Sequence, residues 1–220
     1  PMTASAAATR VKPIGSLTRY LDDLEARIDD AVETDLYGQW VSFWEGTHGT
    51  PVFRPERRAA SKPGIEWPSV LINAAIEDFD LMAYSQFRTC SQALEFGSGE
   101  IMNVRSNYGT GILASPFGPR LFIMDDDKNT LPTNWPLDGG LNAIRATIDA
   151  GVPAIRVSLA GKALEMAAIF DEITRGYPKI RKHVHNYHPD TQGPMDVVEL
   201  LWGSRLFTDI VDHPDLVLQM

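Results

Sequence analysis

The feature that most constrains the fold is a stretch near the C-terminus that changes its pattern twice. Residues 180–187 alternate as in a strand, residues 189–194 contain turn formers, and residues 195–202 carry apolar side chains at helical spacing. A strand followed by a polar loop and a helix is half of a β/α unit, and such loops carry the site in parallel α/β folds. The sequence therefore predicts an α/β architecture with functional groups in this loop.

Composition limits the partners of the chain. At 220 residues it can bury a core and form one domain, with or without an appendage. Its net charge of −9 and pI near 5.0 disfavour a nucleic acid or an anionic membrane as partner, because both need a basic surface. An anionic substrate would need a local group of arginines.

Cysteine content and hydropathy indicate the compartment. The single cysteine, Cys90, rules out an internal disulfide and a multi-cysteine metal site in this chain. No run approaches the roughly 20 apolar residues of a membrane helix, and residues 1–9 do not resemble a secretion signal. We expect a cytoplasmic protein.

The chain divides into three parts. Residues 1–14 are expected to form a disordered tail, residues 15–68 the N-terminal helices and a loop rich in arginine, and residues 69–220 the main domain. The loop arginines suit carboxylate or phosphate groups, although a solvated basic loop is favoured. These arginines are Arg54, Arg57 and Arg58.

Periodicity and turn signals predict the remaining elements. The predicted helices cover residues 17–28, 36–45, 69–96, 141–150, 161–174 and 195–202, with further apolar runs at 207–211 and 216–218; the predicted strands are 101–105 and 180–187, and residues 121–137 form a hairpin. The hairpin tip, Asp125 to Asn129, reads as a solvated acidic turn rather than a calcium loop, because its spacing is not that of an EF-hand.

A polar glycine loop, residues 106–111, follows the first predicted strand. Gly109 and Gly111 would permit the backbone to approach a ligand closely. The pattern lacks the third glycine of a dinucleotide fingerprint, so it does not predict a nucleotide site.

Four segments together resemble the uroporphyrinogen decarboxylase family. They are Val-Arg-Ser-Asn-Tyr-Gly-Thr-Gly at 104–111, Phe-Gly at 117–118, His-Pro-Asp-Thr-Gln-Gly-Pro at 188–194 and Leu-Trp-Gly at 201–203. The likeness covers about residues 70–220 and is closest to an uncharacterised bacterial branch of the family. It implies a (β/α)8 TIM barrel with its active site at the carboxyl ends of the strands, in a superfamily shared with corrinoid-dependent methyltransferases.

Length modifies this expectation. A closed eight-strand barrel takes about 250 residues, and the family adds N-terminal helices, so the chain is expected to hold only the N-terminal half or so of the barrel. Half a barrel leaves two open parallel edges. Either the chain is a fragment, which the uncapped end at Met220 favours, or a second copy closes the sheet in a homodimer.

Two positions depart from the pattern of true decarboxylases. The resemblance places an aspartate two residues after Arg105, where this chain has Asn107, and an active-site tyrosine near Leu200. Asparagine forms hydrogen bonds but supplies no negative charge to stabilise a protonated pyrrole. The family's arginine-bearing first-strand motif is missing as well. These departures disfavour a genuine uroporphyrinogen decarboxylase.

No cofactor is expected within this chain. The methyltransferase branch activates a thiol on zinc, and the resemblance would place those ligands, and any corrinoid, in a C-terminal half. His183 and His185 on one face of the predicted strand, with His188 beyond it, could bind a metal. In-line histidines more often face solvent, and no metal site is assigned.

The two loops supply the predicted site. Arg105 would bind a carboxylate of the substrate. Alternatively, it would lie in the wall of the barrel and form a salt bridge with a neighbouring residue. Asn107 and Tyr108 would orient the substrate. His188 and Asp190 would manage protons, with an Asx turn or helix cap as the other reading of Asp190. The full set is His188, Asp190 and Asn107 as catalytic residues, and Arg105, Tyr108, Gly109, Gly111, Tyr187 and Gln192 as substrate-binding residues.

The resulting hypothesis is a barrel enzyme of this superfamily that acts on an anionic small molecule. Its chemistry would be that of a carboxy-lyase or a methyltransferase. The alternative is a protein that binds a tetrapyrrole, a corrinoid or another small molecule without catalysis, as Asn107 and Leu200 would allow.

Overall fold

A computed structural model describes residues 16–220 of the chain; the predicted tail, residues 1–14, lies outside them. The described part mixes helix and sheet and is mostly helical, with few strands. The helices are α1 (Leu17–Arg27), α2 (Asp30–Trp44), α3 (Ile72–Glu77), α4 (Phe79–Phe96), α5 (Leu141–Ala150), α6 (Ser158–Arg175), α7 (Pro178–His183), α8 (Pro194–Trp202), α9 (Leu206–Asp212) and α10 (Pro214–Gln219). The strands are β1 (Asn103–Arg105), β2 (Leu121–Phe122), β3 (Thr133–Asn134) and β4 (His185–Tyr187).

Two small sheets form. β1 and β4 pair in parallel, with Asn103 opposite His185 and Arg105 opposite Tyr187. The connection between them contains α6, so β1, α6 and β4 form a β/α/β unit. β2 and β3 pair antiparallel, which confirms the predicted hairpin with shorter strands. The predicted mixture of helix and sheet is confirmed, and residues 16–220 form no closed barrel.

One hydrophobic core holds the β1/β4 pair and the N-terminal helices together. Val104 of β1 is fully buried among residues of α4 and α6, including Phe87 and Phe170, whose rings meet edge to face at 6.0 Å. Leu21 and Leu24 of α1 belong to the same core, as their helical spacing predicted. A second, smaller core joins α5 to α8, α9 and α10.

Helices α4 and α6 cover one face of the β1/β4 sheet. Successive side chains of a strand point to opposite faces, and Val104 and its register partner Asn186 face the helices. The Asn186 amide donates to the carbonyl of Ala167 at 2.9 Å and to the Asp171 carboxylate at 2.8 Å, both on α6. The opposite face therefore carries the side chains at the alternate positions, Arg105 and its partner among them.

The predicted strand at residues 180–187 is wrong in its first half, which forms α7. Pro178 occupies the first helical turn, and the Glu25 carboxylate of α1 accepts hydrogen bonds from the backbone N–H groups of Lys179 and Ile180 at 2.9 and 2.8 Å. Both N–H groups would otherwise lack partners at a helix start. Glu25 lies more than 150 residues away in sequence, so local pattern does not reveal this cap.

The predicted helix over residues 69–96 is two helices. The chain leaves the helical conformation at Asp78, whose backbone is extended (φ −128°, ψ 123°). Its carboxylate accepts from the backbone N–H groups of Asp80 and Leu81 at 2.8 and 3.0 Å and so caps α4. The predicted end at Gly97 is confirmed, with the left-handed φ of 63° that favours glycine there.

Arg57 fixes the long loop between α2 and α3. Its guanidinium forms a two-pronged ion pair with Glu33 at 2.7 and 2.9 Å, and donates to the carbonyls of Ala93, Ser98 and Glu100. All five N–H groups are thus used, and the side chain is fully buried. Arg57 is a structural residue and is not available to a ligand.

The other loop arginines lie at the surface. Arg58 pairs with Asp35 at 3.0 Å while its own side chain stays 73% exposed, and Arg54 is exposed. The structure therefore does not bring Arg54, Arg57 and Arg58 together as an anion site.

Arg27 of α1 anchors the same loop from the other side. It donates to the carbonyl of Ser61 in the loop, to the side chain and carbonyl of Ser91 on α4, and to Asp23. Two buried arginines thus replace the regular hydrogen bonding that a loop of this length lacks.

A charged contact joins α2 to α7. The Asp30 carboxylate accepts from Lys182 Nζ at 2.7 Å and lies 2.8 Å from His183 Nε2. These hydrogen bonds, from Lys182 first and His183 second, lower the pKa of Asp30 to about 2.

None of the helices in residues 16–220 is long and apolar enough to cross a membrane.

We predict that Arg57→Ala lowers the free energy of unfolding by about 3–5 kcal/mol, because it leaves the Glu33 carboxylate buried without its partner. Arg58→Ala is the matched control from the same loop and should cost less than about 1 kcal/mol, as exposed ion pairs do. Urea denaturation followed by circular dichroism measures both. Similar losses for the two variants would contradict the assignment of Arg57 as the anchor.

The Asp30 contact should make stability depend on pH on the acid side. A folded-state pKa of about 2, below the ordinary 3.8, means that the ionised carboxylate stabilises the fold above about pH 4 and that this stabilisation disappears as pH falls toward 2. The difference in unfolding free energy between wild type and Asp30→Asn should therefore shrink over that interval. Asp149→Asn, on an exposed position of α5, is the control; a constant difference would contradict the prediction.

Candidate functional site

The β1/β4 pairing brings the two predicted loops to the same end of the sheet. The strands run parallel with Arg105 opposite Tyr187, so residues 106–111 and 188–193 both leave from the carboxyl end. Ligand sites of parallel α/β folds lie at this end. The spatial relation inferred for the two loops from the sequence is therefore present in the structure.

A polar cavity of about 290 Å³ runs along the edge of β1 that faces away from β4. Its lining combines strand, loop and α4 residues. The polar lining residues are Gln86, Thr89, Glu100, Asn103, Arg105 and Asn107. An arginine with several amide groups around a small cavity is suited to a carboxylate, which accepts hydrogen bonds from each of them.

Asn107 is the unusual group in this cavity. Its side-chain oxygen is buried and has no hydrogen-bond partner among the described residues. A buried polar atom without a partner costs about 1–3 kcal/mol, so such atoms are uncommon and point to a ligand. Asn107 thus has the position and the unused hydrogen-bonding capacity of a ligand-orienting residue.

Side chains of α4 cover the exposed edge of β1. The Gln86 side-chain oxygen accepts from the backbone N–H of Arg105 at 3.2 Å, and the Cys90 thiol lies 3.3 Å from the carbonyl of Asn103. Burial raises the pKa of the Cys90 thiol to about 12, with the charge of Glu100 as a second cause. The thiol stays protonated and does not act as a nucleophile.

Tyr108 has a different place from the one predicted. Its side chain is 1% exposed and packs in the main core, and burial raises the pKa of its hydroxyl well above the ordinary value. The position of Tyr108 in a polar loop predicts a contact with the substrate. The aromatic ring instead fills the core beneath the loop, as large aromatic residues commonly do.

The glycines of this loop make room for the hairpin. A Cβ on Gly109 would lie 2.2 Å from the carbonyl oxygen of Pro132, and one on Gly111 would lie 2.5 Å from the Asn134 amide. Gly109 also has φ +84°. The predicted close backbone approach is present, but the partner is the hairpin rather than a ligand.

The loop after β4 carries the second group of predicted residues. Tyr187 and His188 are exposed, with ring centroids 4.1 Å apart, and His188 Nδ1 lies 2.8 Å from the carbonyl of Pro189. Asp190 accepts a hydrogen bond from the Gln192 side-chain amide at 2.8 Å. The helix that follows is capped by Asp196, which accepts from the backbone N–H of Gly193, so Asp190 is not that cap.

Gln192 lines a second cavity, of about 470 Å³, whose other walls are apolar. The walls come from the turn after β1, the segment between α5 and α6, α8 and α10, with Phe117, Ile155 and Leu218 as examples. Asn107 lines only the first of these two cavities. The predicted site residues therefore do not all line one cavity.

The three histidines do not form one group. His183 ends α7 and contacts Asp30, while the His185 ring stacks 6.2 Å from that of Tyr37. They lie on different elements because the first half of the predicted strand is helical. Within residues 16–220, no group of three or more histidine, cysteine or acidic side chains could hold a metal ion.

Sequence reasoning missed Gln86 and Thr89 on α4 and Glu100 before β1. All three line the polar cavity. Gln86 and Thr89 lie on α4 with the spacing of an ordinary amphipathic helix, and Glu100 lies in the segment between α4 and β1. None of them belongs to a strand-end loop. A polar side chain among the buried positions of α4, such as Gln86 beside Phe87, was the only local signal.

Comparisons with known proteins add no relative: no family model matches the chain, and neither a curated protein nor a solved structure does.

We predict that Gly109→Ala is more destabilising than Gly118→Ala. Both glycines have nearly the same positive φ, +84° and +87°, but only the methyl group at 109 would meet a neighbour. The common backbone strain cancels in the comparison, and the clash should add about 1–3 kcal/mol. Thermal and urea unfolding of the two variants measure this difference; equal losses would mean that the loop can move away from the hairpin at no cost.

Proposed function

We propose that this chain contributes to a uroporphyrinogen decarboxylase-like (β/α)8 barrel and acts on an anionic small molecule at the carboxyl ends of β1 and β4. The observation that carries the proposal is the polar cavity lined by both Arg105 and Asn107, whose buried side-chain oxygen has no hydrogen-bond partner among the described residues. The decarboxylase and methyltransferase chemistries of that superfamily both act on substrates of this kind.

The sheet supports the barrel part of the proposal. Parallel sheets normally have helices on both faces, except where they curve into a barrel and the second face lines its interior. Here helices cover the face of Val104, and the other face carries Arg105 and Tyr187. In the proposed barrel, the outer edge of β4 pairs with a further strand, from the same polypeptide or from a second copy.

The chemistry of the cavity supports the substrate class. Arg105 supplies a permanent positive charge and paired donors for a carboxylate. Asn107 can donate or accept, which fits a group that carries both an N–H and a C=O. In a protein of net charge −9, an arginine in a polar cavity is a specific feature rather than part of a general basic surface.

In the proposed reaction, His188 and Asp190 exchange protons with the substrate. Both lie in the loop that leaves from the neighbouring strand, and His188 is exposed at that end. General acid–base catalysis needs such groups within hydrogen-bond reach of the reacting atom. The proposal assigns no metal ion and no corrinoid to residues 16–220.

A second candidate function is binding without catalysis. Asn107 supplies no negative charge, and the Asp190 carboxylate is already engaged with the Gln192 amide at 2.8 Å. A site that keeps the arginine but has an asparagine where the resemblance places an aspartate can retain affinity for a carboxylate while losing a group that lowers a reaction barrier. Tetrapyrroles and corrinoids are the ligands to test for both candidates.

We predict that Arg105→Ala weakens the binding of a carboxylated tetrapyrrole by about 10- to 100-fold, because a hydrogen bond to a charged group contributes about 1.5–3 kcal/mol. Absorbance titration with uroporphyrin, coproporphyrin and cobalamin measures the dissociation constants. Arg181→Ala, which removes an exposed arginine on α7, is the matched control and should leave them unchanged.

A turnover assay on any ligand that binds then separates the two candidate functions. Product formation that is lost in His188→Ala while binding persists would support the enzyme. Binding without product would support the binding protein. Equal effects of Arg105→Ala and Arg181→Ala on every ligand, or no binding at all, would contradict the proposal.

A further inference from the structure

Helix α2 carries an apolar face that is exposed to solvent. Tyr37, Val41 and Trp44 follow one another at intervals of four and three residues, so their side chains lie on one side of the helix. They are 52%, 37% and 89% exposed. Contiguous apolar patches of a few hundred Å² on a protein surface commonly mark interaction sites. The proposed function makes no use of this face.

The helix that presents this face is held firmly on the rest of the fold. Glu33 of α2 forms the buried ion pair with Arg57, and the Trp40 indole N–H donates to the carbonyl of Gly99 at 2.8 Å. The Phe43 ring stacks on that of Phe53 in the long loop, with centroids 4.2 Å apart. A partner would therefore meet a fixed surface and would not have to order it on binding.

The spacing of the face is self-complementary. At 1.5 Å per residue, Tyr37 lies about 6 Å before Val41 along the helix axis, and Trp44 lies about 4.5 Å after it. If two antiparallel copies of α2 meet at a two-fold axis through Val41, each Tyr37 lies within about 1.5 Å of the level of the other copy's Trp44. The residues between the two rings include Gly38, where an added Cβ would meet no atom within 4 Å, so the helices have room to approach.

The charged groups at the two ends of the face favour the same antiparallel orientation. Glu45 directly follows α2 beside Trp44 and is exposed. Lys182 and His185 lie at the other end, where they line a small cavity together with Tyr37. Lys182 binds Asp30 at 2.7 Å and keeps further N–H donors for a second carboxylate. An antiparallel pair brings Glu45 of each copy toward these basic groups, whereas a parallel pair would bring the two Glu45 carboxylates together.

We propose that a second copy of this chain covers the face, in a two-fold symmetric dimer whose antiparallel α2 helices pack through Tyr37, Val41 and Trp44. At the exposures given above, the two aromatic rings present about 300 Å² per copy. With the other residues of the face, two copies would bury about 1,000 Å², which is the lower limit for a specific interface. The dimer is therefore reversible, with a dissociation constant in the micromolar range.

This contact is separate from the function proposed above. It uses side chains of α2, whereas closure of the proposed barrel would use the backbone edge of β4. The dimer therefore neither requires nor excludes the barrel.

Sedimentation velocity on a concentration series through the micromolar range measures the association of the wild-type chain. Trp44→Ala should weaken the dimer by about 30-fold or more, because every dimer loses two such rings. Phe207→Ala removes an aromatic ring that is 65% exposed on α9 and should leave the dissociation constant unchanged. A wild-type chain that stays monomeric throughout, or a dimer that Trp44→Ala leaves intact, would overturn the proposal.

Opposite charges at position 41 test the two-fold axis. Val41→Asp and Val41→Lys each place two like charges at the axis, so each variant alone should dimerise about a hundredfold more weakly than wild type. An equimolar mixture of the two should recover dimers, because opposite charges then meet. The same two substitutions at Val211, which is 78% exposed on α9, are the control and should dimerise like wild type. If circular dichroism shows both Val41 variants folded and their mixture stays monomeric, residue 41 does not meet its own copy and the two-fold arrangement is wrong.

Discussion

The ion pair of Arg57 with Glu33 is the contact on which the placement of the β1/β4 sheet depends. One guanidinium connects the long loop to α2, to the last turn of α4 and to the segment between α4 and β1, through Glu33 and the carbonyls of Ala93, Ser98 and Glu100. Because every donor has an acceptor, its burial is tolerated without a hydrophobic replacement. The direction in which the chain leaves α4 and enters β1 is thereby fixed.

From that anchor the rest of the arrangement follows. β1 is only three residues long, and within residues 16–220 no strand pairs with it on one side, where Gln86 and Cys90 of α4 form hydrogen bonds with its backbone. On the other side it pairs with β4, and the helices that pack behind both strands leave a polar face exposed. Short strands held by helices keep both loops at one end of the sheet, and each loop then borders its own cavity, polar at Asn107 and apolar at Gln192.

Sequence pattern predicted the elements whose causes are local. The apolar spacing of α1, the glycine that ends α4, the hairpin and the strand-loop order around Arg105 and His188 could all be inferred. Sequence pattern failed where the cause is a residue distant in sequence. Glu25 of α1 caps α7 near the other end of the chain, and the ion pair with Glu33 makes Arg57 a buried structural residue rather than a ligand-binding one. Tyr108 and Gly109 are residue types that often occur in ligand sites, but here they pack against the rest of the protein. Only the three-dimensional structure distinguishes the two situations.

The single thiol of this chain has a practical consequence. Cys90 is 2% exposed, lies against the Asn103 carbonyl and has a pKa of about 12, so a thiol reagent reaches it only when α4 separates from β1. A cysteine introduced at an exposed position would therefore accept a fluorophore or spin label selectively, with the native residue left in place. The labelling rate of the native thiol would in turn report how often this helix and strand come apart.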